Sequence, residues 1–85
     1  MFFMRVEFSK YIIADSEICH GRPTFRGTRI LVHVVLEMLE AGASVQEIIR
    51  AYPSLTKAHI KAALDFAAKL TKRSVNERRA ELVSA

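Results

Sequence analysis

Residues 20–35 read HGRPTFRGTRILVHVV, and the fold turns on how this stretch is divided. Its first ten residues hold Gly21, Pro23, Gly27 and the arginines Arg22, Arg26 and Arg29; its last six hold only one polar side chain, His33. Glycine and proline punctuate turns, whereas an unbroken apolar run this short needs burial. The stretch therefore reads as a structured link that hands the chain to a helix. Beyond Arg29, Ile30, Leu31, Val34, Val35, Met38 and Leu39 recur at helical spacing, and Ala41-Gly42 supplies a stop. Thr28 is the expected N-cap of this helix or stands just before it. Val32, Val34, Val35 and Leu36 leave nearly every face apolar, which predicts a helix buried all round.

Upstream, Phe2 to Ile13 is rich in β-branched and aromatic residues and alternates in places, as in Val6-Glu7-Phe8-Ser9. One or two short strands are predicted there, then a turn at Asp15-Ser16-Glu17. Ile18 to Thr24 can return as a second strand, restricted to an edge by Gly21 and Pro23.

Downstream, Ser44-Val45-Gln46-Glu47 has the spacing of a capping box, in which serine and glutamate side chains satisfy each other's backbone N–H groups. The helix it opens points Ile48 and Ile49 inward and ends by Ala51 or Tyr52, because the residue before Pro53 is pushed out of helical conformation. Thr56 then caps a third helix, with Ile60, Ala63, Leu64 and Ala67 on its core face, running to about Leu70. Ser74-Val75-Asn76-Glu77 repeats the capping pattern. The reading divides the chain into one domain, residues 1–70, and a C-terminal tail, residues 71–85, that becomes helical on a partner.

The predicted fold is mostly α: a short N-terminal β-hairpin, a three-helix helix-turn-helix core and the tail. A chain of 85 residues holds one small core, and with 51% apolar residues it has more apolar surface than that core hides, which predicts a homodimer. Its formal net charge is +4. Basic residues outnumber acidic ones five to three in residues 1–30 and four to two in residues 71–85, but match them four to four in residues 31–70. This permits an anionic partner without demanding one. The single cysteine, Cys19, excludes an intrachain disulfide, and no run of apolar residues has the length of a membrane span. The expected setting is a soluble protein of the cytoplasm, away from membranes.

In the helix-turn-helix reading, residues 44–51 form the first helix, Tyr52 to Leu55 the turn, and the next helix faces DNA with Lys57, His59 and Lys61. These suit phosphates better than bases, since the helix lacks arginine, asparagine or glutamine for bidentate base contacts. Arg22, Arg26 and Arg29 offer a second DNA-binding set, held by Pro23 and Gly27; equally, they pair with Asp15, Glu17 or Glu37 at a dimer seam. No enzyme is predicted. His20, His33 and His59 lack metal-ligand spacing, Cys19-His20 is a lone pair of potential ligands, and the glycines do not form a phosphate loop, so neither metal nor cofactor is expected.

The run GRPTFRGTRILV (residues 21–32), followed by LEAGASVQEII (39–49), YPSLT (52–56) and IKAALDFA (60–67), resembles the prokaryotic domain-of-unknown-function four-three-three family. The resemblance implies a homeodomain-like helix-turn-helix core behind a hairpin, usually an intimate dimer. It also implies the antitoxin half of a VapB-type toxin–antitoxin pair, whose partner is a PIN-like ribonuclease. The chain departs from the family at His20, usually glycine, and at Leu31, often proline. Two functions follow as expectations. One is an antitoxin dimer that sits on operator DNA while the tail wraps the toxin, with Arg73, Arg78, Arg79, Leu82 and Val83 as partner-binding residues. The other is a dimerisation and protein-interaction module that binds no DNA.

Overall fold

A computed structural model describes the backbone of residues 4–84 and the side chains of residues 4–72. Three strands come first: β1 (Arg5–Glu7), β2 (Ile12–Asp15) and β3 (Thr24–Phe25), paired antiparallel in the order β1-β2-β3. Three helices follow: α1 (Val32–Glu40), α2 (Val45–Ala51) and α3 (Lys57–Ser84). This corrects the mostly-α expectation of a hairpin ahead of a helix-turn-helix core: the protein is a small α/β domain built on a three-stranded sheet.

The physical reason lies in where the chain turns. Asp15-Ser16-Glu17 was expected to close the hairpin, but the β1–β2 reversal falls at Phe8–Tyr11, where the Phe8 N–H donates to the Ile12 carbonyl at 2.9 Å. Asp15 belongs to β2 and pairs with Arg5. Its carboxylate instead accepts from the Glu17 N–H at 2.8 Å, turning the chain out of the sheet. The expected strand over Ile18–Thr24 is mostly a single 3-10 turn, Cys19–Gly21, with only Thr24–Phe25 extended and paired to β2.

The quoted stretch resolves into two turns. Cys19, His20 and Gly21 all take positive φ (51°, 59° and 80°), reversing the chain before Pro23. The second turn runs Phe25 to Thr28, whose N–H donates to the Phe25 carbonyl at 3.0 Å. Gly27, its third residue, has φ 78°, the left-handed conformation that a type II turn requires at that position. Thr28 caps this turn and not the helix: its hydroxyl donates to the Phe25 carbonyl at 2.7 Å and accepts from the Ile30 N–H at 3.0 Å. Consequently α1 starts later than expected, behind Leu31. It ends in a Schellman motif, with Gly42 at φ 96° and the Ala43 N–H reaching the Met38 carbonyl at 2.9 Å.

The core joins both layers. Ile12 and Phe25 from the sheet meet Val32 and Val35 of α1, Ile48 of α2, Leu55, and Ile60 and Ala63 of α3. Only Val32 and Val35 of α1 are fully buried, so this helix is packed on one side and not all round. The Ser44 capping box forms as expected, with Ser44 Oγ accepting from the Glu47 N–H at 3.1 Å and Glu47 accepting from the Ser44 N–H at 2.7 Å. Leu64, expected on the core face, is 51% exposed. Helix α3 passes Leu70 and the second capping pattern without a break and ends at Ser84. Among the described residues, no helix is long and apolar enough to cross a membrane.

Candidate functional site

The turn between β1 and β2 projects onto the first turns of α3, and this junction gathers the chain's most distinctive surface. An open cavity of about 380 Å³ lies there, lined by Ser9, Lys10, Tyr11, Ala58, Lys61, Ala62 and Asp65. Ala58 and Ala62 keep its helical wall low, so Lys10 and Lys61 stand over a shallow floor. Lys57 lies four residues before Lys61, one helical turn away on the same face, and all three lysines are exposed. Lysine side chains gathered on an open surface suit contact with an anion.

His59, expected to face outward with these lysines, is packed. Its ring stands edge-on to Tyr11 at 4.9 Å and to Phe25 at 5.8 Å between centroids. The Thr56 N–H donates to His59 Nδ1 at 3.1 Å, and the Thr56 hydroxyl lies 2.9 Å from the same nitrogen. An amide N–H can only donate, so Nδ1 is the bare nitrogen and Nε2 carries the hydrogen. The imidazole therefore does what a glutamate does in a capping box, reaching back from the third helical position to the residue before the helix. It fixes the N-terminus of α3 against the sheet.

The arginines divide in the same way. Arg26 donates through Nε to the Lys10 carbonyl at 3.0 Å and meets Glu7 at 3.1 Å, tying the β3 side of the sheet to the β1–β2 turn. That guanidinium, first by hydrogen bond and then by charge, holds the Glu7 carboxyl below the usual carboxylate range. Arg22 Nε lies 3.4 Å from the Cys19 carbonyl and braces its own turn. Arg29 is exposed. Of the acids proposed as arginine partners, Glu37 faces His33 at 3.4 Å and Asp15 is buried. Arg73, Arg78, Arg79, Leu82 and Val83 lie outside the residues whose side chains are described. Among the described residues, no three His, Cys, Asp or Glu side chains gather as metal ligands.

A second, apolar surface adjoins the lysine cluster. Phe8 stacks edge-on against Phe66 at 4.9 Å, and together with Leu70 they line a groove of about 280 Å³ whose polar margin includes Asp65 and Lys69, themselves paired at 3.1 Å. Sequence reasoning found Lys57 and Lys61 from the charge pattern of α3, but missed Lys10, Phe8 and Tyr11. These reach the site only through the β1–β2 turn, and no glycine, asparagine or proline in Phe8–Tyr11 marks that turn.

The described residues thus form a two-layer α/β domain with a lysine cluster beside an apolar groove. The chain belongs to the family described as protein of unknown function (DUF433), which matches residues 12–67. The match takes in the two turns of the quoted stretch, the buried core, Lys57 and Lys61, but leaves out β1, Lys10 and the part of α3 beyond residue 67. No curated protein and no solved structure matches the chain.

Proposed function

We propose that this protein is a DNA-binding antitoxin, a homodimer that holds operator DNA through phosphate contacts and neutralises a PIN-like ribonuclease. The observation that carries the DNA part is the pair Lys10 and Lys61 on one open cavity that Asp65 also lines, with Lys57 exposed one helical turn before Lys61. Lysines contact phosphates as point charges and release counterions, which supplies affinity, while the operator is told from other duplexes by its sequence-dependent shape and deformability. The helix N-terminus adds partial positive charge at the same place. His59, Arg22 and Arg26 serve the fold in this reading, and Arg29 is a further phosphate contact. The partner-binding part falls to the end of α3: an arginine delivered to an acidic nuclease site is the chemistry such an antitoxin needs, and Arg73, Arg78 and Arg79 are the candidates, with Leu82 and Val83 as apolar anchors.

The test is a salt titration of duplex binding by the wild type and a Lys57→Ala/Lys61→Ala double variant. The salt slope of log affinity is expected to fall by roughly 2 in the variant, close to one unit for each lost phosphate contact. An unchanged slope removes these lysines from the DNA surface. A second reading, a dimerisation and docking module without DNA, is favoured by the Phe8, Phe66 and Leu70 groove, since apolar concavities suit protein partners. Duplex binding that disappears at physiological salt on every sequence favours that reading.

A further inference from the structure

We infer that the outer edge of β1 is a self-pairing surface, through which two copies of the chain join antiparallel about a two-fold axis at Val6. This rests on the homodimer reading above and names the surface it uses.

Strand β1 is the terminal strand of the sheet. The Met4 carbonyl accepts from the Ser16 N–H at 2.8 Å, the Phe8 N–H donates to Ile12 at 2.9 Å, and Val6 stands opposite Ala14. In an antiparallel ladder the backbone groups of successive residues point to opposite sides. Met4, Val6 and Phe8 therefore turn their N–H and C=O groups toward β2, while Arg5 and Glu7 turn theirs to the open edge. Protein edges are commonly blunted by short strands, charged side chains, proline, a bulge or a covering segment. This edge is short and charged, but its two charges are opposite in sign and two positions apart, with Glu7 meeting Arg26 at 3.1 Å and Arg5 at 3.8 Å inside its own chain.

That spacing is self-complementary in one register. With Val6 opposite Val6 of a second copy, Arg5 of each chain faces Glu7 of the other, and both outward residues exchange their backbone hydrogen bonds. A two-fold axis at Arg5 or at Glu7 would set a charge against itself. The Val6 register also aligns the apolar face, where Met4, Val6 and Phe8 are 62%, 45% and 45% exposed. Val6 meets Val6, and Met4 of one copy meets Phe8 of the other, extending the Phe8–Phe66 contact beside the apolar groove. Charge, hydrogen-bond parity and apolar exposure thus select the same occupant, a second copy.

The test uses the full chain with Cys19→Ser, by sedimentation equilibrium and by cysteine cross-linking. Added to that background, Val6→Cys is expected to close a disulfide between copies under mild oxidation, since residues facing each other in a non-hydrogen-bonded pair stand within disulfide reach, whereas Arg5→Cys is not. Arg5→Glu and Glu7→Arg are each expected to weaken the dimer about tenfold or more, as like charges replace opposite ones on both sides of the axis. An equimolar mixture of the two variants restores opposite pairs and is expected to regain the dimer. A wild-type chain that sediments as a monomer overturns both this interface and the homodimer reading. A dimer indifferent to Arg5→Glu and Glu7→Arg, with Val6→Cys remaining a free thiol, overturns this interface alone.

Discussion

Arg26 and Glu7 meet at 3.1 Å across the strand order of the sheet, from the end of β3 to the edge strand β1. The same guanidinium donates to the Lys10 carbonyl at 3.0 Å, so one side chain fixes the turn that brings Lys10 to the lysines of α3. Arg26→Ala is expected to lower stability by about 1 kcal/mol through the lost carbonyl hydrogen bond, measured by urea unfolding, and to disturb the position of Lys10.

The pH dependence follows from Glu7. Its carboxyl is held below the usual range, chiefly by the Arg26 hydrogen bond and charge. A depressed folded value makes the unfolded chain bind the proton more readily, so the Glu7 contribution is fully present above the unfolded value of about 4.3. It is lost as pH falls through the lower folded value. Glu7→Gln is therefore expected to unfold more easily than the wild type at neutral pH, with the difference shrinking in acid. Thermal unfolding of both proteins across the acid range checks this, and a gap that widens with acid contradicts it.

His59 is expected to matter for stability more than for binding. His59→Ala removes two aromatic edge contacts and the acceptor of the Thr56 N–H. A loss of about 1 to 2 kcal/mol is expected in chemical denaturation. The variant's duplex affinity, compared at a temperature where it remains folded, is expected to stay near that of the wild type; a drop as large as that from Lys57→Ala/Lys61→Ala would return His59 to the DNA surface.

His20 occupies a glycine's conformation, with φ 59° and ψ 31°. A side chain there carries the strain of the left-handed region, and His20→Gly is expected to stabilise the protein by up to about 1 kcal/mol after the added freedom of the unfolded chain is offset. A lower melting temperature in His20→Gly would show that the imidazole makes a stabilising contact that outweighs the strain.

Among the described residues of α3, Ala63 is the last that is fully buried and Phe66 is partly buried. Removing residues 74–85 is expected to leave the melting temperature of the domain nearly unchanged while abolishing capture of a PIN-like nuclease in a pull-down with the purified pair. Retained capture assigns partner binding to residues before 74.

The helical half was legible because its signals are local. Ser44 and Glu47 are three residues apart, Pro53 stops α2, and Ile60 and Ala63 mark a face of α3. The sheet was not, since its turn at Phe8–Tyr11 has no glycine, asparagine or proline and only Ser9, whose hydroxyl accepts from the Tyr11 N–H at 3.2 Å, to mark it, and β3 is only Thr24–Phe25, too short for a period to show. The quoted stretch was read as a structured link through Pro23 and Gly27, without its division into two turns, and β1 lies outside the residues matched to the family. At the site, charge pattern exposed Lys57 and Lys61. The role of Arg26 and the packing of His59 depend on partners 16 or more residues away, Lys10 and Glu7 for one and Tyr11 and Phe25 for the other, which no local spacing encodes, whereas the contact of His59 with Thr56 is local.

The most direct measurement is a gel-shift titration of the protein against the DNA upstream of its own gene and against a scrambled duplex, at low and at physiological salt. The DNA-binding antitoxin account predicts a shift of the upstream duplex that survives physiological salt while the scrambled duplex is released. Equal shifts on both duplexes, lost together as salt rises, would contradict it.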